Sequence, residues 1–259
     1  MSRKLSVAAI ICLLPFTFTA FAEEAKEKPE YSLSAELGFL YKTGNTKSAD
    51  IKAGIDFSHE KDQWLSTVDF NVVAKKLEST DDNGDDSFDT TDSKWNIVTK
   101  TNYTLSPEGK NYLYGYVSYE EDRFSNFDKQ ASVSLGWGRQ WYKTKKSSLF
   151  ADVGPGYKHD VVKASGMTPQ ETKNSLIIQA QAIYHRQIND FVEFKQLLVA
   201  QYATKSDANS TYKSESSITT KLIESLQLKF ALTIDYNTEV DAGFDNTDTQ
   251  TSMTLVYNF

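Results

Sequence analysis

The sequence has little cysteine, histidine and proline, and these shortages exclude several kinds of site. It contains one cysteine, three histidines and five prolines in 259 residues. Cys12 lies in an apolar N-terminal segment, so a mature chain without that segment has no disulfide and no thiolate metal site. Five prolines and 12 glycines, beside 14 tyrosines and 15 phenylalanines, do not indicate disorder.

Long hydrophobic runs are also missing after residue 22, and basic residues are outnumbered. No later stretch approaches 18 consecutive apolar residues, which excludes a transmembrane helix there. The mean hydropathy of −0.49 fits a soluble protein, but it also fits a membrane β-barrel, in which only alternate residues face lipid. The net charge is −7. Removal of Arg3 and Lys4 leaves 26 basic against 35 acidic residues, a charge of −9, which argues against nucleic acid as a partner.

The N-terminus predicts export. Residues 1–22 begin with two basic residues, continue as an apolar run and end in the small-residue sequence AFA at 20–22. This is the pattern of a secretory signal peptide, and a retained membrane anchor is the alternative. Residues 23–30 (EEAKEKPE) predict a charged flexible linker. The folded domain is predicted to span 31–259.

A period of two runs through that domain and predicts strands with one apolar and one polar face. In the last twelve residues (DTQTSMTLVYNF), Met253, Leu255, Tyr257 and Phe259 share one face. Similar alternation marks eleven earlier segments, so twelve strands are predicted. Segment 110–121 (KNYLYGYVSYEE) is strand-like, but both of its faces carry tyrosine or aliphatic residues and its parity stays unassigned.

The connections and the aromatic residues predict the architecture. Every second connection is short, and the longest predicted loop spans residues 76–92. We therefore predict an all-β fold, an antiparallel transmembrane β-barrel with short periplasmic turns and longer extracellular loops. A soluble β-sandwich is the alternative. Aromatic residues gather at strand ends as two interfacial girdles. Tyr257 and Phe259 are predicted to form the membrane-facing end of the closing strand, which resembles the signal read by the barrel assembly machinery.

Three stretches of the sequence resemble a known family. They are residues 36–64, 119–127 and 134–142, and their most distinctive parts are the turn TGNT at 43–46 and the triplet DRF at 122–124. These stretches resemble the YdiY-like family of outer-membrane proteins, described as salt-induced. The resemblance spans essentially the whole mature chain. It implies an outer-membrane barrel of a Gram-negative bacterium, and it brings no catalytic residues with it.

Charged residues of both signs fall on the predicted inward faces in nearly equal number. A strongly selective pore lines its constriction with one sign of charge, so this mixture predicts paired charges that bridge strands in a polar lumen. Twelve strands lie between small filled barrels and open 16-stranded porins, which predicts a narrow or nearly plugged lumen. The lumen-facing candidates are Glu36, Lys52, Asp56, Asp69, Lys94, Lys100, Asp152, Glu193, Lys195, Lys229 and Asp235.

Two further groups of charges are candidates at the predicted outer loops. Asp122 and Arg123 are predicted to pin a loop through a charge-assisted bond, and a ligand contact at the pore mouth is the alternative. The sequence DDNGDD could bind Ca²⁺ or Mg²⁺ weakly and link the loop to lipopolysaccharide phosphates, although a solvated charged loop is the simpler interpretation. Its acidic residues are Asp81, Asp82, Asp85 and Asp86.

These patterns favour a monomeric envelope barrel over an enzyme. The leading hypothesis is a narrow passive channel with a mixed-charge lumen, linked to salt or osmotic stress as the resemblance implies. The alternative is a non-conducting structural or adhesion barrel that acts through acidic extracellular loops. His59, His159 and His185 show no catalytic or metal-ligand spacing. We expect no cofactor. The expected partners are membrane lipid, lipopolysaccharide and the barrel assembly machinery.

Overall fold

Twelve antiparallel strands form a closed barrel in which each strand pairs with its neighbours in the chain and β1 pairs with β12. The computed structural model describes residues 30–43, 48–80, 86–107, 109–123, 125–164, 169–240 and 245–259. They include no helix that is long and apolar enough to cross a bilayer. The strands are β1 (Tyr31–Thr43), β2 (Ser48–Lys61), β3 (Trp64–Thr80), β4 (Asp86–Thr104), β5 (Asn111–Asp122), β6 (Phe127–Lys143), β7 (Ser147–Val162), β8 (Glu171–Gln187), β9 (Val192–Ala203), β10 (Thr211–Lys221), β11 (Leu226–Asn237) and β12 (Thr247–Asn258).

The barrel has two unlike ends. The end that holds the first residue of β1 and the C-terminus carries connections of at most six residues (105–110), and we call it the turn end. The opposite end carries connections of up to nine residues (238–246), and we call it the loop end. The predicted count of twelve strands, their antiparallel order and the closure of the sheet are confirmed.

The prediction of a long loop at residues 76–92 is wrong. β3 continues to Thr80 and β4 already begins at Asp86, and the two strands pair as far as Thr80 and Asp86. β4 has 19 residues, whereas about 9–11 residues suffice for a strand to cross a bilayer. The apolar alternation stops at Ala74 because a hairpin that continues into water needs no apolar face. Sequence periodicity therefore misses this part of the strands.

The outward face of the barrel is apolar. Leu37, Phe39, Leu135 and Leu176 are between 63% and 70% exposed, far above what a water-soluble core strand shows. Aromatic pairs lie near the strand ends, among them Trp64 with Tyr103, Tyr184 with Phe194 and Tyr212 with Tyr236. A further pair joins Trp95, in the middle of the long β4, to Tyr119 near the end of β5. A continuous belt of exposed apolar side chains flanked by aromatic residues is the surface that a bilayer covers.

The C-terminal residue completes the closure of the sheet. The Phe259 N–H donates to the Leu33 carbonyl oxygen at 3.0 Å, so hydrogen bonding between the two chain ends continues beyond the last residue of β12. The Phe259 ring packs edge-on against Tyr257 at 4.9 Å between centroids. Phe259 is 76% exposed, which places an aromatic side chain on the outer surface at the turn end.

The glycines of β6 explain which side chains of β5 point into the barrel. Tyr112, Tyr114 and Tyr116 point inward and are buried, whereas Leu113 and Val117 are about half exposed on the outer face. Tyr112 is paired with Gly138, and Tyr114 with Gly136. A Cβ atom at Gly138 would lie 2.3 Å from the Tyr112 ring. The inner wall therefore accommodates the large rings because the residues opposite them have no side chain.

Substitution of Gly138 by alanine is expected to destabilise the barrel. The new methyl group overlaps the Tyr112 ring, which is also held by a hydrogen bond from its hydroxyl to Asp152 Oδ2, so one of the two must give way. Overpacking of this kind costs about 1–3 kcal/mol. The urea midpoint of the folded barrel in detergent measures the loss.

The matched control is Gly115→Ala on the outer face, where the nearest heavy atom to a new Cβ atom is Leu135 Cδ2 at 3.5 Å. This variant is expected to keep the wild-type midpoint. Equal midpoints for the two variants would show that the Tyr112 ring does not need the space above Gly138.

Candidate channel lumen

Described residues of the barrel enclose polar cavities of about 290 Å³ and 160 Å³. These cavities share eight lining residues, so they are adjacent, and we call the level at which they meet the waist. The waist residues come from two opposite walls of the barrel. They are Lys94, Asn96, Val98 and Tyr116 on β4 and β5, and Val199, Lys213, Asp235 and Gln250 on β9 to β12.

The structure places most of the predicted lumen residues around the larger cavity. Asp152 is buried in the wall, and Glu193 lies at the turn end, where its Oε2 atom is 3.1 Å from His185 Nε2. The nine candidates that line the larger cavity are Glu36, Lys52, Asp56, Asp69, Lys94, Lys100, Lys195, Lys229 and Asp235.

Lys94 is held by two carboxylates near the waist. Its Nζ atom lies 2.9 Å from Glu120 Oε1 and 3.0 Å from Asp122 Oδ2. Both acids belong to β5, which pairs with β4. The Lys94 charge is therefore compensated by its own wall and is not left for a solute. Charge-assisted hydrogen bonds of this length also fix the ammonium group in place.

Lys100 reaches from β4 across two strands to β7. Its Nζ atom donates to Asp152 Oδ2 at 2.5 Å and also to Gln181 Oε1 on β8. The Tyr112 hydroxyl donates to the same Asp152 oxygen at 2.9 Å, and the Tyr114 ring centroid lies 5.0 Å from the ammonium group. This contact fills the space between β4 and β8, so part of the barrel interior is a packed polar core.

A third buried pair lies toward the loop end. Lys158 Nζ is 3.1 Å from Asp160 Oδ2, and the two side chains are only 2% and 3% exposed. Asp160 also accepts from Gln130 Nε2 at 3.2 Å. Lys158 Nζ also donates to the Asn209 carbonyl oxygen at 3.3 Å. Asn209 belongs to the β9–β10 loop, so this pair connects the wall to a loop.

The β9–β10 loop folds into the mouth of the barrel. Ala208, Asn209 and Ser210 are all less than 9% exposed, and Ala208 packs against Ile177 and Ala203. The Asn209 side chain donates to Asn237 Oδ1 at 2.7 Å and accepts from the Glu239 N–H at 3.2 Å. The loop is thus tied to both sides of the mouth and narrows it.

Lys94, Lys100 and Lys158 are thus paired with carboxylates of β4 to β8, which we call the paired wall. On the far side, Glu36 joins Lys229 at 2.7 Å and Lys52 at 3.7 Å, across β11, β1 and β2. These pairs agree with the mixed-charge lumen that the sequence predicts.

Four charged side chains of the larger cavity, two of them at the waist, differ from all of these. They are Lys195 on β9, Lys213 and Glu215 on β10 and Asp235 on β11, and we call them the open wall. All four line the larger cavity. Within the part of the chain that the structure describes, none of the four forms an ion pair within 4 Å. Their charges therefore face the cavity uncompensated by direct contact.

The loop-pinning contact predicted for Asp122 and Arg123 stays a prediction. Asp122 points inward and is 5% exposed, and its carboxylate binds Lys94. Arg123 is exposed, its N–H donates to the Ser93 carbonyl, and its own carbonyl accepts from Lys163 Nζ at 2.8 Å. These contacts thus involve the side chain of Asp122 and the main chain of Arg123.

The weak cation site is predicted at DDNGDD, where Asp81, Asp82 and Asp85 lie outside the described residues. The side chain of Asp86 is likewise not described. Elsewhere in the described ranges, no three histidine, cysteine, aspartate or glutamate side chains are close enough to hold a metal ion. The signal peptide prediction also falls outside the described ranges. Of the predicted linker, Glu30 is described, and its carbonyl accepts from the Glu60 N–H at 2.6 Å.

Sequence reasoning missed the inner residues of β5. Glu120 and the three inward tyrosines lie in the segment whose parity was ambiguous. Glycines at alternate positions of the next strand, Gly136 and Gly138, were the available signal, because an inward glycine leaves space for a large ring on the strand beside it.

Comparison with known sequences establishes the family. The family described as "Protein of unknown function, DUF481" matches residues 35–259. The chain belongs to this family. "Uncharacterized protein YdiY" of Escherichia coli strain K12 is 23% identical over 242 residues, which cover 93% of this chain and 88% of that protein. The predicted YdiY-like resemblance is confirmed.

Solved outer-membrane barrels share the fold of this DUF481 member. An outer-membrane channel from Pseudomonas putida F1 aligns with a TM-score of 0.53 and 11% identity, covering 93% of this chain and all of that one. The NanC porin aligns with a TM-score of 0.52 and 9% identity, covering 86% of this chain and 98% of that one. At such low identity the likeness shows the fold, an outer-membrane type of β-barrel.

Breaking the Lys100–Asp152 contact is expected to destabilise the barrel strongly. Lys100→Met leaves the Asp152 carboxylate, whose side chain is 2% exposed, without its cation, and loss of one partner of a buried pair costs about 3–5 kcal/mol. The double variant Lys100→Met/Asp152→Leu removes both charges and is expected to recover most of the loss. Urea unfolding of the four proteins in a double-mutant cycle measures the coupling. Additive losses would contradict a direct interaction.

Proposed function

We propose that this protein is a narrow passive channel in the outer membrane of a Gram-negative bacterium. The observation that carries the proposal is the pair of adjacent polar cavities inside the barrel, which meet at a shared waist. Small hydrophilic solutes would diffuse through it down their gradients. In this orientation the turn end faces the periplasm and the loop end faces outward.

The size and charge of the lumen set what such a channel passes. The cavities measure about 290 Å³ and 160 Å³, so the expected solutes are small. Charges of both signs line the space, and a ring of one sign is what gives strong ion selectivity. The expected channel is therefore narrow and weakly selective between cations and anions.

The arrangement of the histidines supports a role without catalysis. His185 contacts Glu193 at the turn end, and His159 contacts Asn174 Oδ1 on the outer side of β7 and β8 at 2.7 Å. The contact partners of these two histidines are thus a carboxylate and an amide. Covalent hydrolysis needs a nucleophile that is activated by a base. Location in the outer membrane, a monomeric state, contacts with lipopolysaccharide and the link to salt stress remain predictions within this proposal.

The second candidate function is a non-conducting structural or adhesion barrel that acts through its outer loops. The inward β9–β10 loop favours it, because Ala208 and Asn209 narrow the mouth. The Lys100–Asp152 contact favours it as well, because it fills part of the interior. These features reduce the volume of the lumen, whereas the adjacent cavities beside them favour the channel.

Current recordings on folded protein test the channel directly. The mature protein is refolded in detergent, its folding is checked by heat-dependent gel mobility, and single molecules are recorded in a planar lipid bilayer. We expect reproducible current steps, and a reversal potential close to zero in a KCl gradient because the lining charges are nearly balanced. Heat-unfolded protein is the control.

Silence from protein shown to be folded would contradict the channel and support the non-conducting barrel. A reversal potential near the value for an ideal cation or anion pore would contradict the weak selectivity, while leaving the channel itself in place.

A further inference from the structure

The open wall presents charges of both signs to the larger cavity. Lys213 and Glu215 are two residues apart on β10, so both point inward and their Cα atoms are about 6.6 Å apart. Lys213 is directly opposite Asp235 on β11 and Val199 on β9. Acidic and basic groups therefore alternate along and across the same wall.

The paired wall and the open wall differ in the contacts that their charged side chains make. Lys94, Lys100 and Lys158 each hold a carboxylate of their own wall within 3.1 Å. The open wall borders the same lumen, yet its four charged groups have no such contact within the described residues. The two lysines and two acids of the open wall balance one another in number but not by contact, so a solute can bind groups of both signs there.

The balance of the lining disfavours a solute with a single charge. Besides the open wall, the larger cavity is lined by Glu36, which is already bound to Lys52 and Lys229, and by Asp56 and Asp69 from β2 and β3. It is also lined by Lys94 and Lys100, which hold carboxylates of the paired wall. An anion near Lys213 is also near Glu215 and Asp235, and a cation near either acid is also near Lys213. A molecule with both charges can satisfy both kinds of group at once.

We propose that the open wall is a binding site for small zwitterionic solutes, molecules that carry an ammonium group and a carboxylate a few ångströms apart. Lys213 would bind the carboxylate, and Glu215 and Asp235 would bind the ammonium group. The inference deepens the proposed channel function, since it names the solute class that the waist favours, but the binding itself does not require conduction.

A series of matched four-carbon probes tests the site. Binding of 4-aminobutanoate, butanoate, butylammonium and butanamide to the folded protein in detergent is measured by saturation-transfer NMR and calorimetry. We expect 4-aminobutanoate to bind at least ten-fold more tightly than the other three. The affinity is expected to fall with added KCl, because ions compete for the same charges.

Substitutions locate the site. Lys213→Gln, Glu215→Gln and Asp235→Asn are each expected to weaken 4-aminobutanoate binding at least five-fold, and three independent positions keep the test usable if one variant fails to fold. The matched controls are Lys145→Gln and Glu224→Gln at the turn end, where both side chains are exposed. These controls are expected to keep wild-type binding.

Equal binding of butanoate or of butylammonium would overturn the proposal in favour of a simple anion or cation site, and absence of binding by all four probes would overturn it outright. Current steps without 4-aminobutanoate binding would retain the channel and reject the site. Binding without current would retain the site and reject the channel.

Discussion

Closure of the sheet is the constraint on which the rest of this structure depends. Inside a hydrocarbon layer every backbone N–H and C=O must be paired within the protein, and an open sheet edge is not tolerated. The pairing of β1 with β12 removes the edge, and the Phe259 N–H extends it to the last residue of the chain. Once the sheet is closed, alternate residues must face either lipid or the interior, which leaves nowhere but the interior for the charged side chains of the strands.

The charged side chains in the interior are accommodated in two ways. On the paired wall, lysines and carboxylates neutralise one another, and the inward tyrosines of β5 pack against the glycines of β6. On the open wall, Lys195, Lys213, Glu215 and Asp235 face a cavity. The first wall supplies rigidity, because buried charge pairs with several hydrogen bonds fix their partners. The second leaves a solvated surface on which solutes can compete with water and ions.

Most of the architecture could be predicted from the sequence because lipid enforces a period of two on every crossing strand. The inward position of Glu36 or Asp235 followed from that period alone. The partner of Lys100 could not be found in the same way, since Asp152 is 52 residues away and two strands intervene. Periodicity also failed where no lipid imposes it, as in the pairing of 76–80 with 86–90 and in the inward β9–β10 loop.

The continuity of the aqueous path past the open wall is the central claim, and thiol accessibility tests it most directly. The sequence contains no cysteine after Cys12, so single-cysteine variants of the mature protein are clean reporters. In membrane vesicles, Lys213→Cys is predicted to react with a small charged thiol reagent added from either side. Ser134→Cys, placed at a residue of the paired wall that is 3% exposed, is predicted to stay unmodified. Reaction of Lys213→Cys from one side only, or from neither, would contradict a through-going lumen.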